Sequence, residues 1–148
     1  MAKLTNHFSL EEMTFSETAV RHGIANKPDP DSRRNLVEVC DSMLEPIREL
    51  AGGPITVTSG YRSPTLNSII GGAPESQHKI GEAADINCPL LNPQALFERI
   101  RESGLPFDQL IDEFGAWVHV SFRQPGRNRH QVLRARKIDG VTIYTELN

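Results

Sequence analysis

His78 and Asp85 stand seven positions apart, with Gly81, Ala83 and Ala84 between them. Side chains that touch on one helix face fall three or four apart, so this pair cannot be neighbours on a helix. Gly81 can turn the chain back on itself, because glycine accepts backbone conformations that other residues avoid. Ala83 and Ala84 keep the wall beside it thin. A loop followed by a strand can therefore aim His78 and Asp85 at one point. Downstream, Trp117-Val118-His119-Val120-Ser121 alternates like a half-buried strand, with His119 on the face of Trp117 and Ser121. It can supply a third ligand. Two histidines, one carboxylate and a position left open for water are the donor set of a catalytic zinc site, and one Zn2+ per chain is expected.

The rest of the chain limits what can surround such a site. Its 148 residues suit one domain with a real core. The net charge of −3 gives no general attraction to nucleic acid or to anionic membranes, and neither partner is expected. No apolar run reaches membrane-spanning length. Met1 to His7 has no apolar signal-peptide core, so the expectation is a product that stays in the cytoplasm of the producing cell until released. A monomer is expected. Of the two cysteines, Cys40 falls on a helix face beside Val37 and Leu44 and reads as a buried thiol. Cys88 as a fourth ligand would close the site to water.

Helix signals dominate the first third. Ser9-Leu10-Glu11-Glu12 is a capping box, Glu17 to Arg21 reads as a second helix stopped by Gly23, and Asp29-Pro30 opens a long third one. Leu36, Cys40, Met43, Ile47 and Leu50 form its core-facing stripe, which Pro46 should kink and Gly52-Gly53-Pro54 should end. Ile55 to Thr58 is a β-branched strand leading into Ser59-Gly60-Tyr61-Arg62-Ser63. A helix over Pro64 to Ile70, a strand over Ala83 to Asn87 and a helix opened by Asn92-Pro93 follow. Phe107 to Ile111 and Trp117 to Phe122 read as a hairpin around Gly115. Residues 123–137 are basic and read as a solvated face, with a weaker option of attraction to an anionic cell wall; Val141 to Tyr144 reads as an edge strand. The expected fold is α+β: N-terminal helices (1–53) packed on a small, mainly antiparallel sheet in a core of 54–122, with a basic C-terminal extension of 123–148, all in one domain.

Ser76-x-His78-x-x-Gly81-x-Ala83-x-Asp85, with Ser59-Gly60-Tyr61-Arg62-Ser63 before it and Trp117-Val118-His119 after it, resembles the motif set of the zinc D-Ala-D-Ala carboxypeptidase family. Three blocks in the right order are more specific than any one of them. The family also holds D-Ala-D-Ala dipeptidases and phage L-alanyl-D-glutamate endolysins. The resemblance implies a zinc metallopeptidase acting on peptidoglycan stem peptides, with His78, Asp85 and His119 as metal ligands. It further implies a phage or prophage lytic product that meets the wall after release, or a virion-associated one.

Hydrolysis at such a centre also needs a base. Related dipeptidases carry a Glu three residues before the second His; here that position is Ala116. The nearest acids are Asp112 and Glu113. A three-residue tip, Phe114-Gly115-Ala116, puts Glu113 on the face of His119, whereas a two- or four-residue tip puts Asp112 there. Phage members that resemble this chain have a Glu in the context Gln109-Leu110-Ile111-x-Glu113, which selects Glu113 as the catalytic base. The plain alternative leaves both as solvated hairpin carboxylates.

Arg62 is expected to hold a substrate carboxylate or the developing oxyanion, the role the resemblance implies for it, against the option of a loop arginine bonding backbone carbonyls. Ser76 is a candidate to bind the substrate backbone or to cap the turn into His78. Tyr61 is placed with the substrate-binding group, more as packing than as chemistry. Two rival classes stand beside the peptidase: a non-catalytic virion or wall-binding domain that keeps zinc as a structural clip, and an amidase-like enzyme on another substrate.

Overall fold

The computed structural model describes residues 2–147. Each N-terminal helix starts where a side chain can satisfy its free amides. Ser9 and Glu12 cap α1 (Leu10–Thr14) reciprocally, Ser16 caps α2 (Glu17–Arg21), and Asp29 caps α3 (Pro30–Val39) with Pro30 in its first turn. The expected kink at Pro46 takes another form. Residues Cys40–Leu44 make one π-helical turn, in which the Glu45 amide reaches back five residues to the Cys40 carbonyl, and α4 (Glu45–Ala51) continues with Pro46 in its first turn. Widening one turn absorbs the missing proline donor without breaking the axis. Leu36, Cys40, Met43 and Ile47 are fully buried along this continuous rod, while Leu50 is only half-buried.

The sheet has six strands: β1 (Thr56–Ser59), β2 (Ala83–Asn87), β3 (Gln109–Glu113), β4 (Trp117–Ser121), β5 (Gln131–Ile138) and β6 (Val141–Leu147), in the order β1-β2-β4-β3-β5-β6. All neighbours are antiparallel except β3 and β5. Between β1 and β2 lies α5 (Pro64–Ile70), and between β2 and β3 lies α6 (Pro93–Glu102), capped by Asn92. One sheet face, with Ala84, Ile86, Leu110, Val118, Val120 and Val132, joins Leu36, Met43, Ile47, Leu96, Phe97 and Ile100 of the helices in the core. Strand alternation turns Asp85, Ile111, Glu113 and His119 to the other face.

The C-terminal segment corrects the expectation of a solvated basic extension. Residues 131–138 form β5, which docks parallel to β3 and carries β6 as the edge. Four of its arginines are engaged: Arg123 and Arg129 with Asp108, and Arg134 and Arg136 with Asp112. Asp108 and Asp112 are buried, so these cations neutralise charges inside the fold.

Candidate metal centre

His78 sits on a single 3-10 turn, Gln77–Ile80, whose first amides are capped by Ser76. The Ser76 hydroxyl accepts from the His78 amide at 3.2 Å. The ring is oriented from behind: its Nδ1 lies 2.7 Å from the Gly60 carbonyl, which can only accept, so Nδ1 carries the proton and Nε2 keeps its lone pair. The Arg62 amide donates to the His78 carbonyl, and the Tyr61 amide donates to Met13 at the end of α1. A Cβ at Gly60 would lie 2.3 Å from the Met13 carbonyl oxygen, so only glycine lets the loop approach this closely.

Gly81 ends the turn at φ 78°, and a Cβ there would come within 2.3 Å of the Ser32 carbonyl oxygen of α3. The chain then enters β2, where Asp85 is paired across the sheet with His119 of β4. The Asp85 carboxylate oxygen Oδ1 stands 3.0 Å from His119 Nδ1 and 3.4 Å from His78 Nε2. One ligand atom from each of the three residues falls within 4.8 Å of the others. A tetrahedral zinc with bonds of about 2.1 Å has edges of about 3.4 Å, so the donor set and its spacing fit that ion. Burial raises the Asp85 carboxyl, but the adjacent imidazoles of His78 and His119 outweigh it and hold the group well below the usual carboxylate range. His78 and His119 are themselves buried, 2% and 8% exposed, and buried polar rings need partners of this kind.

The hairpin joining β3 to β4 has a three-residue tip. Glu113 pairs with Trp117, Asp112 with Val118 and Ile111 with His119. Phe114 and Gly115 both adopt positive φ, 60° and 67°, as tight hairpin turns require. The strained Phe114 is held by the hydrogen bond its N–H donates to the Ala135 carbonyl and by its ring against Trp117. In this register Glu113 is a diagonal neighbour of His119, roughly 7 to 8 Å away along the sheet, within reach of a glutamate side chain. Burial raises the Glu113 carboxyl; Asp85 and Asp112 push the same way, against His119 and Arg62. Asp112 points to the opposite face, where Arg134, Arg136 and the Gly115 amide donate to it.

An open cavity of about 820 Å³ lies over the centre, lined by Arg62, Ser76, His78, Asp85, Glu113 and His119. Arg62 is partly desolvated, which lowers its pKa against the opposing pull of Asp85 and Glu113, and its Nε has no hydrogen-bond partner. Only a long contact of 3.4 Å joins its guanidinium to Ser76. Tyr61 is buried among core residues and does not line the cavity. Cys88 is a core residue away from the cluster, and both thiols are free. Sequence reasoning missed the far wall of the cavity: Leu133 and Lys137 fall in a stretch that reads as a basic extension, and Tyr144 falls in an edge strand that nothing in the sequence ties to the site. The alternation of Leu133, Ala135 and Lys137 with Arg134 and Arg136 was the available signal.

A segment of 62 residues is 42% identical to the zinc D-Ala-D-Ala carboxypeptidase of Streptomyces albus G. It covers 41% of this chain and 24% of that protein, so the match spans about a quarter of the relative's length. The model of the family described as peptidase M15 matches residues 6–121, which hold all three candidate ligands, Arg62 and Glu113. With that match over most of its length and a His-Asp-His cluster of zinc-binding geometry on its open sheet face, the chain belongs to the peptidase M15 family.

Proposed function

We propose that this chain is a zinc-dependent peptidase that hydrolyses peptidoglycan stem peptides, at either a D-Ala-D-Ala or an L-Ala-D-Glu bond. The observation that carries the reading is the convergence of His78, Asp85 and His119 in one open cavity with Glu113 and Arg62. His78 through Nε2, His119 through Nδ1 and Asp85 through its carboxylate would hold one zinc ion. When bound, the ion supplies a Lewis acid that polarises a peptide carbonyl and makes water more acidic.

The chain's own side chains do the rest. Glu113 takes the proton of the attacking water and returns it to the leaving amine nitrogen. Its buried position off the metal cluster keeps proton transfer separate from ligation. Arg62, whose Nε is unpaired and whose one guanidinium contact among the described residues is the long one to Ser76, offers its fork to a substrate carboxylate or to the developing oxyanion. Ser76 fixes the turn that carries His78 and presents its hydroxyl to the cavity. The similarity of the Gln109-Leu110-Ile111-Asp112-Glu113 context to phage members supports a cell-wall lytic role of phage or prophage type, and a monomer suffices for a site built within one chain.

Digestion of purified peptidoglycan by the zinc-loaded protein, with the new termini identified by mass spectrometry, tests the reading. New D-Ala or D-Glu termini are expected, and which of them appears names the bond. Full zinc occupancy with no release would replace this reading by a non-catalytic domain with a structural zinc.

A further inference from the structure

The family match ends at residue 121, yet the cavity does not. Its far wall is built by β5 and β6, with Leu133, Lys137 and Tyr144. Register and alternation explain the arrangement. β5 runs parallel to β3 with Ile111 beside Leu133 and Glu113 beside Ala135. Tyr144 is paired with Ala135 across the last ladder. One transverse row of the sheet therefore reads Trp117, Glu113, Ala135, Tyr144, with the small Ala135 as floor between an acid and an aromatic ring. Burial, then the charges of Glu113 and Asp85, raises the Tyr144 phenol, as its place beside the same cavity requires.

The even-numbered residues of β5 face the other way. Arg134 and Arg136 close on Asp112 and lock the hairpin in place. Arg123 and Arg129 line the cavity but are held by Asp108. Lys137 shares the cavity wall and the exposure of Arg123 and Arg129 but differs from all four arginines in one respect: among the described residues no carboxylate pairs with it. An uncommitted ammonium on a cleft wall is placed to meet an anion that arrives with the ligand.

We infer that Lys137, backed by Tyr144, is a specificity-determining subsite that holds a carboxylate of the peptide substrate about three residues from the bond that is cut. The inference rests on the peptidase reading above. The distance follows from sheet geometry. Lys137 is two strands across and four residues along from the level of His119, about 16 Å between Cα atoms. About 6 Å of lysine side chain leaves about 10 Å, or three residues of extended peptide. Arg62 stands on the opposite side of the cluster, so the two cations read two different substrate groups.

The test uses the zinc-loaded protein and the synthetic peptide L-Ala-γ-D-Glu-L-Lys-D-Ala-D-Ala, with each carboxyl in turn replaced by a carboxamide. Turnover and calorimetric binding are measured for the native chain, Lys137→Met and Lys137→Arg. One amidation should weaken binding and raise KM by about tenfold, the worth of one charge-assisted hydrogen bond, with kcat little changed. Lys137→Met should abolish that difference by bringing the acid peptide down to the amide, while Lys137→Arg should retain it. If no peptide is cut but binding shows this pattern, the subsite stands and the peptidase reading falls. If every amidation acts equally on the native chain and on Lys137→Met, the subsite is overturned, whatever the activity.

Discussion

Asp112 and Glu113 are adjacent acids on one strand, and the structure gives them opposite faces, so replacing each by its amide should produce opposite phenotypes. Glu113 lines the cavity and is buried with no hydrogen bond to its carboxylate among the described residues. Glu113→Gln keeps the shape, removes a desolvated charge and should leave the melting temperature unchanged or slightly raised. It should retain zinc and lose about a hundred-fold or more in kcat, near 2.7 kcal/mol of barrier, the usual worth of a positioned base. Asp112 is 2% exposed and accepts from Arg134 Nε at 3.0 Å, from Arg136 at 3.1 and 3.0 Å, and from the Gly115 amide at 2.9 Å. Asn keeps an acceptor for Gly115 but loses the charge that holds two guanidiniums. Those guanidiniums are partly exposed and can rehydrate, so the loss should be about 1 to 3 kcal/mol rather than that of a sealed pair. For a chain of this size that lowers the melting temperature by roughly 3 to 10 °C. Kinetics below the transition, normalised to folded protein, should show kcat close to native for Asp112→Asn. A dead Asp112→Asn with native melting, beside an active Glu113→Gln, would refute both the register argument and the base.

Metal removal should follow from any one ligand: His119→Ala or Asp85→Ala purified in zinc should carry little of it by elemental analysis, and full occupancy in His119→Ala would dismantle the cluster as drawn. Arg62→Lys should lose most activity at unchanged folding, because a single ammonium cannot reproduce the guanidinium fork; near-native turnover would make Arg62 a structural loop residue. Acid stability should depend on Asp108 and Asp112. Burial raises both carboxyls, but hydrogen bonds from Arg129 to the first, and from Arg136 and Arg134 to the second, bring them below the usual range. A lowered folded pKa gives stability that is complete above the unfolded value near 3.9 and disappears as pH falls through the folded value. Thermal melts should therefore hold from neutrality to about pH 4 and drop below it, with a shallower acid limb in Asp108→Asn; an equally steep limb in that variant would show that other groups control it.

Most of the helices were legible because their signals are local. Asp29-Pro30 and Asn92-Pro93 place a cap and a first-turn proline side by side, and the helices begin there. The hairpin register was only half legible: strand parity left two options, and the three-residue tip that decides between them is seen in the structure. β5 was not legible, and the reason is physical. Its arginines look like solvent-facing charges until their partners are known, and Asp112 lies 22 residues before Arg134 and 24 before Arg136. The pairing of β5 with β3 is equally distant in sequence, and it is parallel, so no tight turn announces it.

The three candidate ligands that the structure gathers could be picked out from the sequence, but what aims them could not. His78 is useful only in the tautomer and orientation that the Gly60 carbonyl imposes. That carbonyl is fixed because the loop after β1 is fastened on both sides. The Tyr61 amide is bonded to Met13, and the Asn26 side chain donates to the carbonyls of Thr14 and Tyr61 while accepting from the Ser63 amide. Asn26 is buried and sits at φ 46°, a conformation asparagine tolerates better than most residues. It touches no ligand, and its place in a loop before α3 gives no hint of a role. Yet it joins α1, the loop and α5 at one point, so the N-terminal helices set the direction of the first histidine as well as covering the core. A catalytic sheet without those helices would keep all three candidate ligands and lose the carbonyl geometry that holds one of them ready.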